Sequence, residues 1–189
     1  MFRPILETPP AEMPVSLHEC KRNGVIDHDD DDILINQLIQ AAVSHLDGFQ
    51  GILGRCMVTQ TWKVEQARFD RSFVLPVPNV TQVEIRYRDT SEVQQTLPAN
   101  VIYHHPVSLG TCVMIDSDAT LPEVSDKGIA PITVAFTAGF GAATAVPWAL
   151  KLSVMHLVRQ LYDDRGGMGA IEAGSMVRNL IAPYRWVRV

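Results

Sequence analysis

The chain has 189 residues, of which 47% are hydrophobic and 20% are charged, so it can build one globular domain with extensions. Its net charge of −5 argues against a protein that grips nucleic acid, because phosphate binding depends on Lys and Arg. The excess negative charge lies in the first 60 residues, which contain nine acids and four bases.

Targeting and redox signals are weak in this sequence. No apolar run approaches the length of a membrane span, and the first residues lack the apolar core of a signal peptide, so we expect a soluble protein of intracellular origin. Cys20, Cys56 and Cys112 are widely spaced and form no CxxC pair, which favours reduced, buried thiols over disulfides or a zinc site.

The N-terminal third is expected to be helical after a short arm. Residues 1–14 contain four prolines and no periodicity, which predicts a flexible arm. Ser16 and Glu19 have the spacing of a capping box, so a short helix should begin there and end near Gly24. A second, amphipathic helix should follow the aspartate run Asp27–Asp32, which completes a helical segment over residues 15–54.

The aspartate run does not match an EF-hand calcium loop. Counted from Asp27, the sixth position is Asp32 instead of glycine and the twelfth is Leu38 instead of glutamate. The run is typical of acids at a helix N-terminus, where the helix dipole and free N–H groups favour negative charge.

Residues 55–137 have the texture of a β-region. Short β-branched or aromatic runs alternate with turns rich in proline and glycine, which predicts an antiparallel sheet or a small sandwich. The predicted strands are Met57–Phe69, Phe73–Val77, Val80–Arg88, Val93–Leu97, Val101–His105, Cys112–Ile115 and Ile132–Phe136.

A long helix is predicted over residues 147–165, beginning at Pro147 and ending before two glycines. One apolar stripe should face the core and form its centre; it consists of Leu150, Val154, Leu157, Val158 and Leu161. A second apolar arc gives this helix more hydrophobic surface than one small domain readily covers. We therefore predict that the second arc forms a subunit interface. Its members are Trp148, Leu152, Met155 and Tyr162.

The last segment, residues 166–189, begins with glycines that separate it from the long helix. No acid follows Glu172, and the aromatic and basic residues that remain are of the types enriched at binding hot spots. They are Arg178, Tyr184, Arg185, Trp186 and Arg188. Two interpretations stay open: a last strand on the chain's own domain, or an extended tail that docks on a partner.

The residues with catalytic potential do not form a recognisable site. His104 and His105 are neighbours in a predicted strand and point to opposite faces, so they cannot readily bind one metal ion. His156 has no acid or cysteine one helical turn away, and Ser153 lacks a nucleophile-elbow context. We therefore expect no enzyme, no metal and no cofactor.

The order of several motifs resembles one family, the head–tail connector (adaptor) proteins of tailed bacteriophages, which also occur in phage-like gene transfer agents. Each motif is short, but together they cover about residues 14–186. The motifs are Pro14–Leu17, Asp27–Asp32, Thr59–Trp62, Phe73–Val80, Val83–Tyr87, Ile132–Gly141 and Val146–Pro147.

The resemblance implies an α+β fold, namely a small helical bundle with an inserted antiparallel β-region and an extended C-terminal tail. It implies a ring of twelve copies in the neck of a virion or phage-like particle, made in the bacterial cytoplasm. The implied partners are the portal protein, on which the tail would dock, and a head-closure (stopper) or tail protein. DNA would pass through the channel without specific binding, and no catalytic residues are implied.

Two alternatives from other functional classes remain. One is a DNA-binding packaging or regulatory factor built on the N-terminal helices, which would need a basic recognition helix. The other is a metal-dependent hydrolase that uses Asp and His residues.

Overall fold

A computed structural model of the chain describes residues 2–164 and 174–186. Helices and antiparallel sheets both contribute, so the predicted α+β class is confirmed. The chain divides into two compact units. The β unit contains residues 2–10 and 59–139, and the helical unit contains residues 11–58 together with the described residues from 140 onward.

The part of the β unit that the structure describes forms two antiparallel sheets, as the alternation of short runs and turns predicts. The strand order is β1-β2-β8-β4-β5 in the five-stranded sheet and β3-β7-β6 in the three-stranded sheet. The strands are β1 (Ile5–Thr8), β2 (Gln60–Gln66), β3 (Ser72–Leu75), β4 (Val80–Arg88), β5 (Gln94–Thr96), β6 (Ile102–Val107), β7 (Gly110–Ile115) and β8 (Ile132–Ala138).

Strand β8 lies at the centre of the larger sheet, between β2 and β4. Its alternating pattern buries Ile132, Val134 and Phe136 on one face. Phe136 lies opposite Trp62 of β2 and Val83 of β4, and all three side chains are buried. Cross-strand apolar contacts of this kind stabilise the sheet and set its register.

Strand β1 lies within the segment predicted to be a flexible arm, and that prediction is wrong for these four residues. Ile5 and Leu6 are opposite Lys63 and Trp62 of β2. The Glu7 carboxylate accepts hydrogen bonds from Arg86 of β4 at 2.8 and 2.9 Å. The proline-rich sequence gives no sign of a strand here, because the hydrogen-bonding partners of β1 are residues distant in the chain.

Gly110, the first residue of β7, allows a close approach of two backbone segments. Its φ is 143°, and a Cβ added there would lie 1.9 Å from the carbonyl oxygen of Leu75. We expect Gly110→Ala to lower the free energy of unfolding by about 2–3 kcal/mol, measured by urea denaturation. Gly128→Ala is the control, because Gly128 has φ 129° but no atom within 4 Å of an added Cβ. Equal losses for the two variants would contradict the steric explanation.

The described residues of the helical unit form four α-helices: α1 (Leu17–Gly24), α2 (Asp32–Leu46), α3 (Trp148–Asp163) and α4 (Ser175–Ile181). The capping box predicted at the start of α1 is present, with the Ser16 side chain and the Glu19 side chain each accepting a backbone N–H. Because these hydrogen bonds favour the ionised carboxylate, they lower the pKa of Glu19.

Three of the aspartates around the start of α2, Asp29, Asp31 and Asp32, form ion pairs or hydrogen bonds with other side chains. Lys21 contacts Asp29 at 2.5 Å and Asp32 at 2.7 Å. Asp31 is the N-cap residue, but its side chain makes no capping hydrogen bond and accepts one from the Tyr162 hydroxyl at 2.6 Å. No His, Cys, Asp and Glu cluster suited to a metal ion occurs in the described ranges.

Helix α3 contacts the other three helices and carries the centre of this unit's core, as predicted. Four of its five predicted core residues are buried, and Leu150, Val154 and Leu157 have no exposed surface. Lys151 is only 7% exposed, although lysine is typical of a helix surface, and its Nζ lies 4.8 Å from the centroid of the Trp148 ring. A lysine can bury its long aliphatic stem, and a pattern based on residue type cannot show this.

None of the helices within residues 2–164 and 174–186 combines the length and apolar character needed to cross a membrane. The three cysteines are present as thiols; Cys20 and Cys56 are buried and Cys112 is half-buried. Burial raises the pKa of the Cys20 thiol to about 12.

Candidate docking surface of the helical unit

Residues 174–186 of the C-terminal segment pack on the helical unit of their own chain, which corrects the prediction of an extended tail for these residues. Helix α4 contacts α3, and its residues Val177 and Ile181 are 3% and 1% exposed. A short 3-10 helix over Ala182–Tyr184 follows. The spacing of Val177 and Ile181, one helical turn apart, is the sequence signal that could have indicated a packed helix. Three parts of the predicted C-terminal region lie outside the described residues: Arg165, the glycine-rich part of the segment through residue 173, and Arg188.

Trp186 is held against the loop that follows α2. Its backbone N–H donates to the Leu53 carbonyl at 2.7 Å. Gly54 has φ 63°, and a Cβ there would lie 2.6 Å from the Trp186 carbonyl oxygen. Glycine at position 54 therefore allows the C-terminal segment to pass directly over this loop.

The same contact brings an arginine from the loop to the aromatic residues of the C-terminal segment. The Arg55 guanidinium carbon lies 5.4 Å from the Phe140 ring centroid and 5.9 Å from the Trp186 ring. Tyr184 packs edge-on against Phe140, with 6.4 Å between ring centroids. All four side chains are partly exposed, and we call them the Arg55 patch.

Arg55 is partly desolvated without a compensating carboxylate. Its Nε is buried and has no hydrogen-bond acceptor, and no salt bridge to it occurs, among the residues that the structure describes. Burial lowers the pKa of the Arg55 guanidinium, and the neighbouring Tyr184 opposes this effect. The ring faces compensate part of the desolvation cost, because a cation over an aromatic face gains about 0.5–2 kcal/mol. An anionic group would supply the missing partner.

Sequence reasoning missed two members of this patch, Arg55 and Phe140. Arg55 is the only base between Arg22 and Lys63, and Phe140 is an aromatic residue between two glycines. Both features are visible in the sequence, but nothing in the spacing shows that they meet Tyr184 and Trp186 in space.

The other residues predicted to bind partners have different environments. Arg178 and Arg185 are exposed. Of the predicted subunit-interface residues, Trp148 is 70% exposed, whereas Met155 is buried in the unit's own core. Leu152 and Tyr162 are half-buried and pack against that core. Their proposed contacts with partners stay predictions.

These features define the class: an α+β protein whose helical unit presents a partly exposed arginine among aromatic side chains. No protein-family model matches the chain, and no curated protein matches it.

Solved structures with the same fold come from gene transfer agent (GTA) particles. A chain in the neck of an empty GTA particle, computed with C6 symmetry, matches with a TM-score of 0.78 and 21% identity. A chain in the virion of a native GTA particle matches with a TM-score of 0.77 and 22% identity. A chain in the neck of a native GTA particle, computed with C12 symmetry, gives 0.73 and 22%. Each match covers 100% of this chain and 97% of the other, so the shared fold is full-length.

Proposed function

We propose that this protein is a structural head–tail connector (adaptor) in the neck of a tailed bacteriophage or of a gene transfer agent. The full-length fold match to chains from GTA necks carries the proposal. The match includes both the β unit and the helical unit, because it covers 100% of this chain and 97% of the neck chain. This match favours the structural role over the DNA-binding and hydrolase alternatives.

The proposed assembly is a ring of twelve copies beneath the portal. The matched necks were computed with C6 and C12 symmetry, and a repeated head-to-tail contact that closes produces such a ring. The ring would join the portal to a head-closure or tail protein and let DNA pass. The net charge of −5 suits this role, because a negative lumen repels the transiting phosphates.

We propose further that the C-terminal segment docks on the portal. The sequence assigns five residues to this contact: Arg178, Tyr184, Arg185, Trp186 and Arg188. Arg178 and Arg185 suit it best, because both are exposed and can pair with acidic groups of a partner. Tyr184 and Trp186 are held against their own helical unit. Trp148 is the residue of the second α3 arc that we propose for a subunit interface, because it is the one with a largely exposed side chain.

The test is an image of the native particle neck in which this chain carries a small C-terminal label. We expect label density at several symmetry-related positions in a single layer next to the portal. A strain that lacks the chain should produce DNA-filled heads and unattached tails. A single labelled copy per neck, or no label in the neck, would contradict the proposed function.

A further inference from the structure

The loop between α1 and α2 presents acidic and apolar side chains to solvent in the helical unit. Val25 is 89% exposed, and Ile33, in the first turn of α2, is 77% exposed. Asp27 and Asp30 are exposed between them. We call residues 25–33 the acidic loop.

The carboxylates of this loop are not equivalent. Asp29 and Asp32 are paired with Lys21, and Asp31 accepts the hydrogen bond from Tyr162. Within the described ranges, Asp27 and Asp30 make neither an ion pair nor a side-chain hydrogen bond. These two carboxylates are therefore available to a partner.

The acidic loop and the Arg55 patch lie at opposite ends of α2. The loop leads into Asp32, the first residue of the helix. The patch lies beyond its last turn, where the Leu53 N–H donates to the carbonyl of Leu46 and Trp186 donates to Leu53. A helix of 15 residues is about 22 Å long, so the two surfaces cannot meet within one subunit.

The two surfaces have complementary chemistry. The patch offers a guanidinium that lacks a carboxylate partner among the described residues, next to partly exposed aromatic rings. The loop offers two carboxylates that lack a cation, next to two exposed aliphatic side chains. In such a contact the arginine would pair with a carboxylate, and the aliphatic groups would cover the neighbouring rings. Arginine and aromatic residues that are covered in this way are typical of interface hot spots.

We propose that the Arg55 patch binds the acidic loop of a second copy of this chain. Asp27 and Asp30 pair with the Arg55 guanidinium, and Val25 and Ile33 pack on the rings of Phe140 and Trp186. The contact uses different surfaces on the two copies, so it is heterologous and can repeat around a closed ring. The proposal rests on the proposed function only for the location of this contact in the particle. In this proposal Tyr184 and Trp186 face the neighbouring copy and not the portal.

Two one-sided variants of the full-length protein test this contact by sedimentation velocity over a range of concentrations. Arg55→Gln removes the cation of the patch and keeps the loop. Asp27→Asn with Asp30→Asn removes the charges of the loop and keeps the patch. We expect the dissociation constant for self-association to rise at least about 30-fold for either variant, because each leaves a charged group unpaired in the interface.

An equimolar mixture of the two variants gives the decisive result. The loop of the Arg55→Gln chain and the patch of the doubly substituted chain are intact, so the mixture should form a 1:1 dimer that does not grow further. Arg68→Gln and Asp126→Asn are matched controls with exposed side chains outside both surfaces, and they should associate like the wild type within about threefold. Circular dichroism checks that every variant is folded.

The proposal is overturned if the wild-type chain stays monomeric up to its solubility limit, if the variants associate as it does, or if their mixture stays monomeric. These outcomes are independent of the neck image. A labelled ring in the neck together with a failed mixing experiment would retain the proposed function and reject this contact. A formed 1:1 dimer with no label in the neck would retain the contact and reject the proposed function.

Discussion

Deleting residues 177–189 should lower the free energy of unfolding of the isolated subunit by about 3–6 kcal/mol. Two residues in the deleted segment, Val177 and Ile181, are 3% and 1% exposed and belong to the core around α3. Burial of each side chain contributes about 1.5–3 kcal/mol, and the deletion also exposes the α3 surface that they cover. Urea denaturation followed by circular dichroism measures the loss.

Point substitutions on α4 distinguish the loss of α4 packing from a general effect of truncation on stability. Ile181→Ala should cost about 2–4 kcal/mol, whereas Met176→Ala, at a position that is 52% exposed, should change stability by less than about 0.5 kcal/mol. A free docking arm predicts the opposite result, namely a truncated subunit with an unchanged melting temperature. That result would show that α4 does not belong to the subunit core.

Leu157→Ala should cost about 2–5 kcal/mol of stability. Leu157 has no exposed surface and lies on the stripe of α3 that faces the core of the helical unit. The substitution removes buried methyl and methylene groups and leaves a cavity that helices packed on several sides cannot readily fill. The midpoint of urea unfolding should shift, with little change in the slope of the transition.

The control for this substitution is Ile129→Ala, because Ile129 is an aliphatic residue with a side chain that is 80% exposed and lies outside the proposed contacts. We expect a change of less than about 0.5 kcal/mol. If Leu157→Ala and Ile129→Ala have the same small effect, α3 is not the centre of the core.

The sequence alone was sufficient for the elements whose signals are local. The stripe that contains Leu150, Val154 and Leu157 predicts α3, and the alternation around Val134 predicts β8. The Ser16–Glu19 capping box predicts the start of α1. Each signal lies within one or two turns or a few strand positions of the residues that it describes, so it can be read without knowing the fold.

Tertiary structure decided the features that depend on residues distant in the chain. Strand β1 forms because β2, more than 50 residues away, supplies its hydrogen-bonding partners. Lys151 is buried in the folded chain with its Nζ near the Trp148 ring, although its residue type predicts a surface position. Helix α4 has only seven residues, too few for a stable isolated helix, and contact with α3 holds it.

The Arg55 patch depends in the same way on the fold. Its members come from three segments of the chain, and a backbone hydrogen bond from Trp186 to Leu53 brings two of those segments together. The sequence shows an isolated arginine and several aromatic residues, and it determines their chemistry. Only the folded chain places the guanidinium near the rings of Phe140 and Trp186 and partly buries it, because burial depends on which distant surfaces meet.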